Sequence, residues 1–104
     1  MDDFPMTLEG GTLTVRLPRT LTVFNRQGLI EGLEAYGGAF TRVRLDAAAL
    51  GDVDAAGLGM LARVVRFTRD RTGTRPLLRS PSDVVRSLAG GAGLLQFFDL
   101  ETGA

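Results

Sequence analysis

The chain has 104 residues, with twelve basic side chains balanced by twelve acidic ones. Every basic residue is Arg, and Lys, His and Cys are all missing. These absences exclude disulfides, thiolate or imidazole metal sites, Ser-His-Asp and Cys-His catalysis, a Walker A loop and a Schiff-base lysine.

Met6 and Leu8, then Gly10-Gly11, then Leu13, Val15 and Leu17 alternate with Thr7, Thr12, Thr14 and Arg16. This is a hairpin pattern around a glycine turn, ended by Pro18. From Thr22 to Tyr36, Leu29, Leu33 and Tyr36 recur at helical spacing with Ile30 beside them, and Gly37-Gly38 stops the helix. Gly28 and Gly32 each cost about 1 kcal/mol against Ala in a helix, so packing must hold this one together. Residues 41–46 alternate again and predict a strand, and 47–54 reads as a connection of small residues.

A second helix is expected from Ala55 to about Thr72. On a helical wheel Leu58, Met60, Leu61, Val64, Val65 and Phe67 fill about half the circle. Arg63, Arg66, Arg69 and Asp70 fill the other half, with Arg66 and Asp70 one turn apart. Phe67, Met60 and Val64 lie at the rim of the apolar half, as core or as a part-exposed patch. Gly73 is the expected C-cap. A short strand follows at 75–79. Ser80-Pro81-Ser82-Asp83 then reads as a Ser cap, Pro at the first helical position and an acid in the first turn. This third helix ends in Gly90-Gly91, residues 94–100 form a turn into a last strand, and the tail 101–104 is expected to fray.

The predicted order is β-β-α-β-α-β-α-β. It describes one α/β domain over residues 1–104, a mixed and mostly parallel sheet with helices packed on it. Leu58, Leu61, Val65, Val15, Val43 and Leu45 are expected to be largely buried. A core of this size buries roughly 65% of the surface of the unfolded chain.

The stretch VRLDAAALGDVDAAGLGM at 43–60 resembles the core motif of the STAS family (sulfate transporter and anti-sigma factor antagonist). Asp46 and Asp54 have the family's spacing, Val53 matches the apolar residue before the second Asp, and Gly57, Leu58 and Gly59 match its Gly-Leu-Gly. Pro81, Val85, Leu88, Gly93, Leu94 and Phe98 fall in register with the family's last helix and strand, so the resemblance covers about residues 12–100. It implies a protein-interaction module docking on an anti-sigma factor of the histidine-kinase-like ATPase fold. The alternative is the small cytoplasmic STAS subunit of an ABC-type lipid transporter, packed on its ATPase subunit. In the antagonists the residue after the second Asp is a Ser that the partner kinase phosphorylates. Here it is Ala55, followed by Ala56, and neither can accept a phosphoryl group.

On this reading the partner surface comprises Asp52, Asp54, Ala55, Ala56, Gly57 and Met60. Each residue also has a plainer role. Asp54 suits an N-cap, worth about 1 kcal/mol, Asp46 a turn, and Gly57 and Gly59 either close packing or a close-approaching partner. The Arg run 63–75 reads as a solvated helix face, and GGAG at 90–93 as a helix terminator. No carboxylate pair is forced into catalytic geometry, and Tyr36 is the one other acid–base candidate, so the chain is read as no enzyme. No cofactor and no metal are expected. Zero net charge argues against nucleic-acid or membrane-surface binding. The acidic start at 1–10 does not read as a signal peptide and no apolar run approaches the ~20 residues of a membrane span, so a cytoplasmic protein is the default expectation.

Overall fold

The computed structural model describes residues 4–23 and 27–102. Strands β1 (Met6–Glu9) and β2 (Thr12–Arg16) form the expected hairpin, with Leu8 opposite Leu13 and Glu9 opposite Thr12. Its two-residue turn needs positive φ at both positions, and Gly10 and Gly11 supply φ of 58° and 81°. After β3 (Thr20–Leu21) come α1 (Gln27–Ala35), β4 (Arg42–Asp46), β5 (Asp52–Val53), α2 (Ala55–Thr72) and β6 (Leu77–Arg79). The chain closes with α3 (Asp83–Gly91), a 3-10 turn at Leu95–Phe97 and β7 (Asp99–Glu101).

The main sheet runs β1-β2-β4-β6-β7, with β1 antiparallel and the other strands parallel. Each parallel step advances the sheet in the same direction. Right-handed crossovers therefore place α1, α2 and α3 on one face. Burial agrees: Leu13, Val15, Val43, Leu45 and Leu78 are fully buried, while Thr12, Thr14, Arg42, Arg44 and Arg79 on the opposite face keep part of their surface. On that open face Arg42 pairs with Asp99 at 2.9 Å and Arg44 with Glu101 at 2.7 Å, both reaching across β6. Arg44 also donates to Thr14 Oγ1 at 3.3 Å, so one guanidinium links β2, β4 and β7.

Several expectations need correction. β3 and β5 were absent from the predicted order; they pair in parallel as a separate two-stranded sheet, so the 47–54 segment is not wholly a connection. Thr22 and Val23 precede α1 rather than belonging to it, and residues 24–26 lie outside the described residues. The buried stripe of α2 is Gly57, Met60, Leu61, Val64 and Thr68. Met60 and Val64 are thus core and not rim, whereas Leu58 and Val65 are only partly buried. The cap of α3 is Ser82, whose Oγ accepts from Val85 N–H at 3.2 Å. Ser80 sits at φ 54° and donates its N–H to Glu101 O at 2.7 Å, so it cannot begin the helix. That bond and the Arg44 pair hold Glu101 in β7, where fraying was expected; residues 103–104 lie outside the described residues.

Candidate functional site

The turn at 52–57 is built from two short segments stitched together. The Arg19 carbonyl accepts from both Gly51 N–H (2.8 Å) and Asp52 N–H (3.1 Å). Pairing of Thr20 with Asp52 and of Leu21 with Val53 continues the contact, and Asp54 N–H donates to Leu21 O at 3.3 Å. These bonds deliver the start of α2 against residues 20–23.

Asp54 is the N-cap, with extended backbone at φ −93°. Its Oδ1 accepts from Gly57 N–H at 2.8 Å, and its carbonyl takes the first helical bond from Leu58 N–H at 2.9 Å. This satisfies one of the orphan donors of the first turn. Its Oδ2 accepts from Val23 N–H at 3.2 Å, so the same carboxylate holds the neighbouring segment. Asp46 ends β4, and its Oδ1 accepts from Ala48 N–H at 3.1 Å, a turn-forming bond. Gly57 is buried, and a Cβ there would collide with the Leu21 carbonyl, a backbone group that cannot step aside. Gly59 is the opposite case: it is exposed, and nothing lies within 4 Å of where its Cβ would be.

Of the residues expected at the partner surface, Asp52, Asp54 and Ala55 are exposed and Ala56 is half-buried. Met60 and Gly57 are not surface residues. Met60 is 1% exposed within the core, and Gly57 forms the floor of the turn against Leu21. Sequence reasoning missed Val23, which is 54% exposed and tied to Asp54. An isolated Val after a two-residue strand carries no periodic signal. The turn therefore presents two small side chains, Ala55 and Ala56, flanked by the carboxylates of Asp52 and Asp54 and by one exposed Val. Among the described residues no cluster of three or more metal-ligating side chains is found, and no helix is long and apolar enough to cross a membrane.

No family model matches the sequence, and no curated protein matches it. Solved structures do match. A STAS-domain anti-sigma-factor antagonist from Planctomyces limnophilus superimposes with a TM-score of 0.83 at 15% identity, over 99% of this chain and 92% of that one. RsbS of Moorella thermoacetica, in a form with a serine replaced by glutamate, gives a TM-score of 0.80 at 21% identity, over 99% of this chain and 89% of that one. The Bacillus cell-fate determinant SpoIIAA in its phosphorylated form gives 0.74 at 19% identity, over 97% and 91%. The fold of this chain is that of the STAS and anti-sigma-factor antagonist domains.

Proposed function

We propose that this chain is a non-catalytic interaction module of the anti-sigma-factor antagonist kind, docking on a kinase-like anti-sigma factor through the turn at 52–57 and the start of α2. The observation that carries the reading is Ala55. It is exposed at the first position of a capped helix, where the resemblance puts the phosphoacceptor of the antagonists. With a methyl group in place of a hydroxyl, that position cannot be switched off by phosphoryl transfer. Binding is then constitutive, and control rests with protein level or with the state of the partner. The absence of His, Cys and Lys and the structural use of Asp54 and Asp46 as cap and turn residues support a role in binding and not in catalysis.

The test is to measure affinity for the kinase-like anti-sigma factor of the same genome with wild type, Ala55→Ser and Ala55→Glu. Burying an unpaired charge in the contact costs about 4 kcal/mol, roughly a thousandfold in affinity. The fold survives, because an acid in the first turn of a helix is tolerated or slightly stabilising. Equal binding by Ala55→Glu and wild type would remove the turn from the docking surface. Ala55→Ser that is phosphorylated by the kinase and then releases it would show that only the hydroxyl was lost.

A further inference from the structure

Opposite its buried stripe, α2 presents Ala55, Gly59, Ala62, Arg66 and Arg69. At 100° per residue they lie within about 40° of one line, rising about 21 Å along the axis. Beside the second half of this line runs a groove of about 150 Å³ between α2 and the segment after α3, lined by Ala62, Val65, Arg66, Arg69, Leu94 and Phe97. Its lining side chains other than the two Arg are apolar, and Phe97 is 41% exposed. Arg66 and Arg69 are exposed, and neither takes part in the ion pairs found among the described residues. They contrast with Arg71, which is occupied: its guanidinium lies over the Phe67 ring at 4.9 Å and donates to Gly37 O at 3.2 Å.

An apolar slot of one side chain's size, rimmed by two guanidinium groups with no ion-pair partner among the described residues, is complementary to a large apolar side chain with carboxylates beside it. We infer that this groove binds an acidic amphipathic helix of a partner protein, which inserts one apolar anchor between α2 and Phe97 while its Asp or Glu residues meet Arg66 and Arg69. The inference deepens the docking reading, because the groove begins about 10 Å along α2 from Ala55. Gly59 lies between them with no side chain in the way and no packing need of its own. It rests on charges and shape that do not depend on the turn.

The probe is a synthetic amphipathic helical peptide with one Leu flanked by Glu one turn to either side, titrated against the intact protein by amide NMR. The amides of Ala62, Val65, Arg66, Arg69, Leu94 and Phe97 are expected to shift together and saturate. Replacing the peptide's Leu by Ser, or its Glu by Lys, removes saturable binding. Arg66→Gln with Arg69→Gln in the protein weakens binding about tenfold at unchanged melting temperature, since both side chains are solvent-exposed. Ala55→Glu leaves peptide binding intact, so failure of the turn reading and failure of the groove are separate results. The inference is overturned if the Lys peptide binds as well as the Glu peptide, or if the shifts map elsewhere. It is also overturned if the peptide does not bind, whether this face stays empty, pairs with a second copy of the chain, or takes up anionic vesicles or oligonucleotides.

Discussion

The Asp54 carboxylate accepts the Val23 amide from 31 residues away in sequence, at 3.2 Å. The other oxygen of the same carboxylate caps α2 through Gly57 N–H at 2.8 Å. One side chain therefore sets both the start of the helix and the position of the exposed Val23 beside it. The relation explains why the turn holds its shape although it is built from two-residue strands, each too short to be stable alone.

The two roles of Asp54 separate by substitution. Asp54→Asn keeps an oxygen that can cap Gly57, but its amide NH₂ cannot accept from Val23. Asp54→Ala loses both bonds. Asp54→Ala is expected to destabilise the protein by about 1–2 kcal/mol, and Asp54→Asn by less than half of that. Hydrogen exchange at the Val23 amide should accelerate in both variants, while exchange at Gly57 should accelerate only in Asp54→Ala. Urea denaturation with amide exchange measures both. A protected Val23 amide in Asp54→Asn would show that the segment is held by something other than the carboxylate.

Two glycines two positions apart should respond oppositely to Ala. At Gly57 the new methyl group meets the Leu21 carbonyl and, at 2.9 Å, Val53 Cγ1. The pairing of β3 with β5 would have to shift, and a loss of about 3 kcal/mol or more is expected. At Gly59 the methyl group enters open space on the helix surface, and Gly59→Ala should stabilise by up to about 1 kcal/mol. Thermal melts of the two variants decide this. A Gly59→Ala protein that is more stable yet binds its partner more weakly would mark the absent side chain as a feature of the docking surface.

The hairpin, β4 and both ends of α2 were legible because each has a periodic run or a cap chemistry that the fold does not override. Gly73 closes α2, its N–H donating to Arg69 O at 2.9 Å, and Asp54 opens it, as their residue types require. β3 and β5 were not legible, since two residues show no period and their pairing is decided by Arg19 O and Leu21 O. The width of the buried face of α2 was misread for a different reason. Gly57 and Thr68 belong to its buried stripe but add nothing to a hydropathy wheel, and the apolar arc drawn without them reaches out to Leu58 and Val65, which are only partly buried on the flank. Met60, read at the rim of that arc and so assigned to the expected partner surface, lies in the core. That Arg66 makes no ion pair with Asp70 was also beyond the sequence, because their i,i+4 spacing suggests one.

Thr68 follows from that stripe. It is fully buried on the core side of α2, and its Oγ1 has no hydrogen-bond partner among the described residues. A buried hydroxyl without a partner carries its desolvation penalty uncompensated. Val has the same shape with a methyl group in place of the hydroxyl. Thr68→Val is expected to stabilise by about 1 kcal/mol, read as a raised urea midpoint at unchanged slope. A lower midpoint would mean that the hydroxyl is satisfied, through an ordered water or a back-bond to its own helix.

The pair across the open face gives a pH dependence with a definite sign. The hydrogen bond from Arg44 holds the Glu101 carboxyl below the ordinary glutamate range; partial desolvation works the other way, and the charges of Arg44, Arg79 and Arg42 add to the lowering. A carboxylate whose folded pKa lies below its unfolded one binds fewer protons in the native state. Its contribution to stability is complete above the unfolded value, near pH 4.3 for Glu, and is lost as pH falls through the depressed folded value. Glu101→Gln removes this ionisation and should weaken the link between β4 and β7. The expected result is a melting temperature slightly below wild type at neutral pH, with the difference shrinking as pH falls from about 4.3 toward the folded pKa. Arg44→Gln should behave in the same way, since it removes the donor. A Glu101→Gln deficit of equal size at neutral and acid pH would assign the stabilisation to packing of the side chain and not to its charge.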